Sequence, residues 1–443
     1  MPGPQIVRVE GDATLPPRVD VVVIGGGIVG SSTAFELADR GVSVALCEKG
    51  GIGEEQSSRN WGWVRITRRD EREIPLMVEA LRSWSSLGDR TGRDTGFTRA
   101  GIAFACQSDE EIARHENWAK LLEPWQIESR MIGPQAFADI YKGCVHPPKG
   151  ALYTPADARA EPQKAAPAIA EAARDRGAAV LTNCAVRAVE SSAGRVSGVV
   201  TEHGRIACDK VVLAGGAWSR LFSGNLGIEL PQLKIMNSVS RTEPLEGGPE
   251  GAYWTSGYAF RKRQDGGYSI ADGSVNIVDL VPDTLRLMTK FFPALRYQWR
   301  DLRPRLSGRF LFEAGLPRRW SADEVTPFEK TRILDPDPHI NSVRAALASA
   351  ARDFPVFARA RVAQSWAGLI DVTPDAVPVI STVEGLPGFH IATGFSGHGF
   401  GIGPGAGRLM ADMVMERTPC VDPHEFRLSR FFDGTKMILD KGF

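Results

Sequence analysis

The sequence lacks the features of a membrane-spanning or nucleic-acid-binding chain. It contains no stretch of 18 or more apolar residues, which argues against a transmembrane helix. The first 18 residues carry four prolines and no apolar segment, so we expect no signal peptide. Neither charge dominates, because 53 basic side chains match 53 acidic ones. Without a basic run, a zinc-binding spacing or a recognition-helix motif, no nucleic-acid partner is predicted.

Cysteine is scarce and scattered. The six cysteines show no Cys-x-x-Cys spacing, so we predict neither a disulfide framework nor a metal site. Reduced thiols in a cytoplasmic protein fit this pattern better. The hydrophobic fraction of 43% and the charged fraction of 24% are ordinary for a globular protein. A chain of 443 residues is long enough for two domains with substantial cores.

A dinucleotide-binding fingerprint occupies residues 19–48. An apolar run of strand length leads into GGGIVG, and a predicted helix and second strand follow. In this pattern Gly25 permits the tight turn, Gly27 lets the backbone approach a pyrophosphate, and Gly30 lets helix and strand pack closely. The helix N-terminus offers free N–H groups to phosphates, and Glu48 can accept hydrogen bonds from ribose hydroxyls. This stretch alone fits FAD and NAD equally.

A basic and aromatic loop follows the fingerprint. It contains four arginines and two tryptophans: Arg59, Arg65, Arg68, Arg69, Trp61 and Trp63. A solvated basic loop would explain the charges. Exposed aromatic side chains beside a phosphate-binding loop, however, more often face a ligand than water. We therefore interpret the loop as part of a site, in which Ser57, Ser58 and Asn60 offer polar groups to phosphates or to a flavin ring.

A second strand with glycines at its end, VVLAGGAW, lies about 190 residues after the first. Two such strand ends so far apart predict that the cofactor domain is discontinuous. Between and beyond them, residues 235–280 alternate like β-hairpins, with a turn at Asp265-Gly266-Gly267. Residues 313–340 are rich in proline and are predicted to be largely loop.

Together these segments resemble the D-amino-acid oxidase superfamily of FAD-dependent amine oxidoreductases, which includes glycine oxidase, monomeric sarcosine oxidase and the D-amino-acid dehydrogenases. Four segments carry the resemblance in the family's order: VVVIGGGIVGSSTAFELADRG with Glu48, SSRNWGWVR, VVLAGGAWS, and WAGLIDVTPDAVPVIS with GFSGHGFGIGPGAGRLMADM. They span nearly the whole chain. The resemblance implies an α/β fold, α+β overall, with a discontinuous Rossmann-like FAD-binding domain and a substrate domain built on a large mixed β-sheet.

The resemblance also implies domain boundaries. The FAD-binding domain would comprise residues 15–95, 155–235 and 362–443. The substrate domain would comprise residues 96–154 and 236–361. The flavin ring would then lie at the interface of the two domains, a usual place for ligand pockets.

The resemblance further implies FAD held without a covalent bond, because Gly368 stands where sarcosine oxidases carry the tethering cysteine. Backbone N–H groups of the glycine-rich loop near His398 would stabilise negative charge on the flavin as it is reduced. The expected cofactor contacts are Gly25, Gly27, Ile28, Val29, Gly30, Glu48, Lys49, Ser57, Ser58, Asn60, Trp61, Val186, Ala214, Gly215, Trp218, Gly368, Asp371, Gly397, His398, Gly399 and Gly401.

The implied reaction is oxidation of the C–N bond of a small-molecule amine or amino acid. Hydride would pass from the α-carbon to flavin N5, giving an imine that hydrolyses, which requires orientation more than an acid–base residue. Arg68 and Arg65 would pair with a substrate carboxylate. Tyr258 and Trp61 would shape the pocket. For Arg309, a further arginine considered, an ordinary structural role fits better.

Two other classes of function were weighed. One is a flavin-bearing subunit that hands electrons to a partner protein, although a full-size substrate domain favours independent catalysis. The other is a flavin monooxygenase, which the late segment GFSGHGFGIGPG disfavours because it lacks a Gly-Asp pair. Sarcosine-type oxidases carry a lysine near the flavin for reaction with oxygen, and the aligned residue here is Ser269, with Lys262 the nearest lysine. We therefore expect slow reaction with oxygen and a quinone or protein as electron acceptor.

Overall fold

The computed structural model of the chain describes residues 3–298 and 302–439. Within this part of the chain the strands are β1 (Val21–Ile24), β2 (Val44–Cys47), β3 (Trp63–Val64), β4 (Thr98–Arg99), β5 (Ile102–Cys106), β6 (Arg130–Ile132), β7 (Gly150–Thr154), β8 (Ala158–Arg159), β9 (Ala179–Leu181), β10 (Val186–Ser192), β11 (Arg195–Thr201), β12 (Gly204–Ala207), β13 (Lys210–Leu213), β14 (Leu233–Thr242), β15 (Ala252–Trp254), β16 (Ala259–Lys262), β17 (Tyr268–Ala271), β18 (Asn276–Asp279), β19 (Leu302–Arg305), β20 (Val362–Val372), β21 (Val379–Thr382) and β22 (Phe389–Thr393).

The helices of the same residues are α1 (Ile28–Ala38), α2 (Gln56–Arg59), α3 (Ile74–Thr91), α4 (Asp109–Ala119), α5 (Pro134–Ile140), α6 (Pro162–Asp175), α7 (Ser219–Asn225), α8 (Pro282–Arg286), α9 (Met288–Gln298), α10 (Arg309–Ala314), α11 (Pro327–Lys330), α12 (Ile340–Asp353) and α13 (Gly399–Val414). Short 3₁₀ turns join several of them. None of the described helices combines the length and the hydropathy needed to cross a bilayer.

A six-stranded sheet forms the Rossmann-like part of the molecule, in the order β21-β22-β13-β1-β2-β9. Its neighbouring strands pair in parallel, except for the antiparallel edge pair of β21 and β22. All four residues of β1 are buried, as expected for a parallel strand covered on both faces. Helix α1 packs against α6 and α13. The predicted βαβ unit and its Rossmann-like setting are therefore confirmed.

Three distant parts of the chain build this sheet. β1 and β2 come from the first 50 residues, β9 and β13 from the middle, and β21 and β22 from the last part. The predicted discontinuity of the cofactor-binding sheet is thus what the strand order shows. The boundaries assigned to the two domains stay a prediction.

A ten-stranded mixed sheet forms the second large layer, in the order β19-β18-β14-β17-β16-β15-β5-β7-β6, with β20 paired to β14. Most pairs are antiparallel, whereas β15–β5 and β18–β19 are parallel. β20 runs along the whole of β14, although the boundary predicted at residue 362 assigns it to the cofactor domain. The end of β20 reaches the Rossmann-like sheet, because Leu369 and Asp371 line a cavity there together with residues of β1 and β13.

The predicted hairpin at Asp265-Gly266-Gly267 joins β16 to β17, and Gly266 adopts a φ of 83° in its turn. Two three-stranded sheets, β10-β11-β12 and β3-β8-β4, complete the described architecture. Residues 313–340 are mostly without regular structure, apart from the ends of α10 and α12 and the short helix α11. Both predictions of local structure are confirmed.

Candidate active site

The turn between β1 and α1 is closely packed against the strand end at β13. Gly25 has a φ of 107°, and a Cβ atom there would lie 2.4 Å from the carbonyl oxygen of Ala214. At Gly30 a Cβ atom would lie 1.9 Å from the carbonyl oxygen of Gly25. A side chain at either position would therefore collide with backbone, which explains why the fingerprint requires glycine at both.

Gly27 differs from these two glycines because it faces open space. The first N–H groups of α1 point into a cavity at this turn, which we call the first cavity. A Cβ atom on Gly27 would meet one nearby atom within 4 Å, the hydroxyl oxygen of Ser57 at 3.0 Å. That hydroxyl accepts a hydrogen bond from the backbone N–H of Ile28 at 2.8 Å. The turn thus offers backbone N–H groups and a positive helix end to an anionic ligand.

The carboxylate of Glu48 is fixed by backbone donors at the end of β2. Its Oε2 accepts from the N–H of Gly26 at 2.7 Å, and its Oε1 accepts from the N–H of Gly50 at 2.8 Å. Burial raises the pKa of Glu48. Each carboxylate oxygen has a further lone pair, so Glu48 can still accept hydrogen bonds from a ligand hydroxyl.

Lys49 and Trp218 form the wall opposite the fingerprint turn, together with a residue that the sequence analysis missed, Glu55. The Nζ atom of Lys49 lies 2.8 Å from Glu55 Oε1 and 5.0 Å from the centre of the Trp218 ring. The same Glu55 oxygen accepts from the indole N–H of Trp218 at 3.1 Å and from the N–H of Leu334 at 2.9 Å. Glu55 therefore ties this wall to the segment around Leu334.

The far end of the first cavity reaches β20, β22 and the start of α13. Asp371 is buried, and its Oδ2 accepts from the N–H of Gly394 at 2.7 Å. Gly397 has a φ of 86° in the loop before α13. The predicted cofactor residues that line this cavity are Gly25, Gly27, Ile28, Val29, Glu48, Lys49, Ser57, Asn60, Val186, Ala214, Gly215, Trp218, Asp371, Gly397 and Gly399.

The remaining predicted cofactor residues lie elsewhere around the cavity. Trp61 and His398 face a second cavity. Gly30 packs against the turn, and a Cβ atom on Gly401 would lie 3.0 Å from the backbone of Trp63. Ser58 and Gly368 lie behind the lining: Ser58 is fully buried, and a Cβ atom on Gly368 would press against the side chain of Gln56.

The second cavity has a volume of about 460 Å³ and adjoins the first. Five residues line both: Gln56, Arg59, Asn60, Gly397 and Phe400. Its walls are mainly aromatic and aliphatic, and the aromatic residues are Trp61, Trp63, Phe104, Trp254, Phe291 and Phe400. Trp61 and Trp63 meet edge to face at 5.1 Å, and Phe104 stacks on Trp254 at 5.3 Å. This cavity is a preformed, largely apolar ligand pocket by size and lining.

Five cationic side chains line the second cavity: Arg59, Arg65, Arg68, Arg69 and Lys234. Two of them have acidic partners behind the lining, Asp335 for Arg59 and Glu313 for Lys234. Among the described lining residues none is acidic. Burial, with the charge of Arg69 nearby, lowers the pKa of Arg65, and burial lowers the pKa of Arg69. An arginine nevertheless stays protonated in proteins. The cavity therefore holds buried positive charge that an anionic ligand would stabilise.

The arginines are oriented by local contacts. The guanidinium of Arg65 lies 5.3 Å from the ring centre of Phe104 and donates to the carbonyl oxygen of Thr67. Arg69 Nε donates to the carbonyl oxygen of Arg65 at 3.1 Å. The backbone of Arg68 has a φ of 58°, a left-handed conformation that residues other than glycine rarely adopt.

Several buried polar atoms of lining residues have no hydrogen-bond partner within the described part of the chain. They are Gln56 Oε1, Trp63 Nε1, Arg69 Nη1 and Asn237 Oδ1. Buried polar atoms are normally paired. These four atoms therefore lie unpaired within the walls of the cavity, and Gln56 Oε1 is directed toward Gly368 behind the lining.

His398 contacts a buried carboxyl that the sequence analysis also missed. Its Nδ1 lies 3.0 Å from Glu73 Oε2. Burial, with Arg69 and Arg65 nearby, holds the pKa of His398 well below its ordinary value. Burial raises the pKa of Glu73 to about 7. The imidazole is therefore neutral, and the pair joins the segment before α3 to the segment before α13.

Tyr258 does not contribute to the second cavity, contrary to the expectation that it shapes the pocket. Its side chain is 1% exposed within an aromatic cluster, where its ring lies beside those of Tyr253 and Phe260. Its hydroxyl donates to Asp353 at 2.9 Å. Tyr258 directly precedes β16, and its side chain packs with residues of α12 rather than in the pocket.

The structure also bears on two other expectations about charge, of which the second needs correction. Arg309 lies on α10, lines neither cavity and pairs with Glu313, which also pairs with Lys234, in agreement with the structural role. Ser269 lies buried on β17 and lines neither cavity, so the absence of a lysine there gives no reason for slow reaction with oxygen. The lysine that does line the second cavity is Lys234, on β14, which the alignment missed.

Comparison with known proteins finds a protein family whose model matches most of the chain. The model of the DAO family, described as FAD dependent oxidoreductase, matches residues 20–413. The structure of L-amino acid deaminase from Proteus myxofaciens in complex with anthranilate is 32% identical, with a TM-score of 0.93 over 96% of each chain. The L-amino acid deaminase from Proteus vulgaris is 30% identical, with a TM-score of 0.92, over 96% of this chain and 100% of that one.

A longer relative is also similar. Human mitochondrial sarcosine dehydrogenase is 25% identical over 97% of this chain, a match that covers 43% of its own length. The chain therefore spans less than half the length of this curated relative.

Proposed function

Because the chain belongs to the DAO family of FAD dependent oxidoreductases, we propose that it oxidises the C–N bond of an α-amino acid with a large apolar or aromatic side chain. The observation that carries this proposal is the lining of the second cavity. It combines five cationic side chains with aromatic and aliphatic walls, and none of its described lining residues is acidic. A carboxylate attached to an apolar group matches both properties.

FAD is the family's cofactor, and the first cavity fits it. Gly27 leaves room for a pyrophosphate beside the N-terminus of α1, and Glu48 retains acceptor capacity for a ribose. We propose that the lining residues given above hold it, without a covalent bond because Gly368 carries no nucleophile. When bound, FAD supplies the hydride acceptor for oxidation of the substrate C–N bond to an imine, which water hydrolyses.

Arg68 and Arg69 are the proposed partners of the substrate carboxylate. Both line the second cavity, and Arg69 Nη1 has no hydrogen-bond partner in the described structure. A guanidinium and a carboxylate can form two parallel hydrogen bonds, which fixes orientation as well as affinity. Arg65, held over Phe104, adds positive charge to the same region. This pairing would orient the α-carbon, which is the main requirement of the reaction.

The walls of the second cavity determine the proposed size of the side chain. A volume of about 460 Å³ lies within the usual range for small-molecule sites, roughly 300–1,000 Å³. A substrate without a side chain would leave much of this volume to water, whereas an aromatic or long aliphatic side chain would fill it and contact Trp61, Trp63 and Trp254. Burial of that surface contributes to binding at roughly 25 cal/mol per Å².

The same lining favours the neutral form of the amine. An ammonium group would enter a positively charged cavity without an acidic partner among the described residues. Asn237 Oδ1, an acceptor of a lining residue, has no partner in the described structure, and a neutral amine can donate a hydrogen bond to it. We therefore propose that the substrate reacts as the free amine, the form whose lone pair assists departure of the hydride.

Three compounds test the proposal: phenylalanine, its decarboxylated analogue phenethylamine, and glycine. Each is added to the FAD-loaded protein without oxygen, and loss of the flavin absorption band is followed. We expect phenylalanine to reduce the flavin faster than either analogue, because only phenylalanine carries both the carboxylate and the apolar group. Faster reduction by phenethylamine or glycine would contradict the proposed substrate class. Anthranilate, the aromatic carboxylate bound in the Proteus myxofaciens structure, is a suitable non-reacting probe of the same site.

A further inference from the structure

Helix α4 is mostly exposed, but two of its residues reach the arginine loop. Within α4, His115 and Trp118 are the buried side chains, one turn apart on the same face. Arg68 Nη1 donates to His115 Nε2, and the indole N–H of Trp118 donates to the carbonyl oxygen of Arg69 at 2.8 Å. The buried face of the helix thus holds the two arginines proposed to bind the substrate.

The tautomer of His115 follows from its two neighbours. A guanidinium only donates hydrogen bonds, so Nε2 must be the unprotonated acceptor. The proton of the neutral ring is then on Nδ1, which lies 2.8 Å from the Sγ atom of Cys106 at the end of β5. Burial, with Arg68 and Arg114 nearby, lowers the pKa of His115 to about 3. Cys106 therefore fixes the tautomer that leaves Nε2 free to accept.

Arg68 needs such a partner because its backbone and side chain are both costly to order. Its φ of 58° is a left-handed conformation that persists only where the surroundings impose it. A long arginine side chain also loses roughly 1.5–2 kcal/mol of rotamer entropy when it is held in one place. A buried acceptor orders the Arg68 side chain before the substrate arrives, so substrate binding does not have to supply that free energy. This effect is called pre-organisation.

We infer that His115 is a positioning residue for substrate recognition. Its unprotonated Nε2, set by the contact of Nδ1 with Cys106, holds the guanidinium of Arg68 at the wall of the second cavity, where it can meet a carboxylate. The inference rests on the proposed function, because it takes Arg68 as a carboxylate partner. It adds a residue on a different element, α4, that contacts a lining residue but is not among the described residues lining either cavity.

Two substitutions of His115 form a matched pair. In His115→Gln the side-chain oxygen can occupy the place of Nε2 and accept from Arg68. In His115→Asn the shorter amide occupies the place of Nδ1, so it keeps a contact with Cys106 and loses the acceptor for Arg68. Binding of anthranilate and of aniline, its analogue without the carboxylate, is measured from changes in the flavin spectrum of the FAD-loaded variants.

We expect His115→Asn to weaken the binding of anthranilate by roughly 10- to 100-fold, because displacement of a positioning group can lower the measured effect of that group by up to about 100-fold. Aniline binding should change less than about twofold, and His115→Gln should restore most of the anthranilate affinity. Glu116→Gln, on the exposed side of the same helix, serves as the control and should match the unmodified protein. Equal losses for anthranilate and aniline, or equal behaviour of the Asn and Gln variants, would overturn the inference.

A measurement on the unmodified protein does not depend on whether a variant folds. ¹⁵N-labelled histidine shows by NMR which ring nitrogen carries the proton, and the His115 signal is the one lost in His115→Gln. The inference requires the proton on Nδ1, and a proton on Nε2 would overturn it. If Arg68→Ala leaves anthranilate binding unchanged, the assignment of Arg68 in the proposed function is wrong instead, which separates the two failures.

Discussion

At the scale of single residues, the site depends on positive charges in a cavity whose described lining residues include no acid. Arg65, Arg68 and Arg69 lie together because a short loop after β3 folds back on itself, and the spacing of arginines in the sequence indicated this cluster. The sequence did not indicate Lys234, because this residue comes from a distant segment and only tertiary packing brings it to the cluster. Glu73 follows Arg69 closely, but its contact with the distant His398 could not be seen in the local sequence. Local motifs predict a loop well and its partners poorly.

Arg68→Ala should weaken the binding of carboxylate substrates strongly and the binding of FAD little. Loss of one member of a desolvated charge pair costs about 2–5 kcal/mol, so the KM for phenylalanine should rise by at least about 30-fold. The fraction of FAD retained after purification should stay the same, because Arg68 does not line the first cavity. Arg99→Ala, at an exposed arginine of β4, is the matched control. Equal loss of FAD and substrate affinity would instead assign Arg68 to the fold.

His390 on β22 should make the protein less stable in acid. It is 5% exposed, and within the described structure neither ring nitrogen has a hydrogen-bond partner. Burial, with Lys210 nearby, lowers its pKa to about 4. Between pH 6.5, its ordinary pKa, and pH 4 the unfolded chain binds more protons at this residue, so the free energy of unfolding falls as pH falls. The total effect is roughly 3 kcal/mol at most.

His390→Leu tests this directly. The free energy of unfolding, measured by denaturant titration at pH 7 and at pH 5, should fall less in the variant than in the unmodified protein. Comparison of the two pH values within each protein cancels the change in packing. Identical pH dependence of the two proteins would show that His390 is paired or solvated in solution.

At the scale of elements, the fingerprint turn shows what local sequence can specify. Strand, turn and helix follow from apolar run, glycines and helical periodicity, and the structure has them where the pattern predicts. Pairing partners are less predictable: the sequence does not indicate that β20 pairs with β14 along its length. The sequence also predicts Tyr258 in the pocket, whereas the side chain is buried in an aromatic cluster beside α12. Long-range pairing and the choice of covered face are not encoded in a short segment.

Gly27→Ala should separate cofactor binding from folding. The added methyl group would press on one flexible hydroxyl in the protein itself, at 3.0 Å, but would occupy the path proposed for the pyrophosphate. We expect normal secondary structure by circular dichroism and at least about tenfold weaker FAD binding in fluorescence titrations. Gly224→Ala, in α7 with no atom within 4 Å of the new methyl, is the control. Unchanged FAD affinity of the Gly27 variant would place the pyrophosphate elsewhere.

At the scale of the whole molecule, two sheets meet and leave two adjoining cavities between them. One is built around a helix N-terminus and a carboxylate, and the other around buried arginines and aromatic rings. Family resemblance in the sequence predicted this division, because its motifs recur in order along nearly the whole chain. The size and charge of the second cavity could not be predicted, since its walls come from many separate segments.

The central claim is that the second cavity holds the carboxylate of an apolar substrate on the arginines after β3. A crystal structure of the FAD-loaded protein with anthranilate tests it most directly. Our account predicts that the carboxylate lies within hydrogen-bond distance of Arg68 or Arg69, with the ring against Trp61, Trp63 or Trp254. Anthranilate bound outside the second cavity, or bound there with its carboxylate directed away from both arginines, would contradict it.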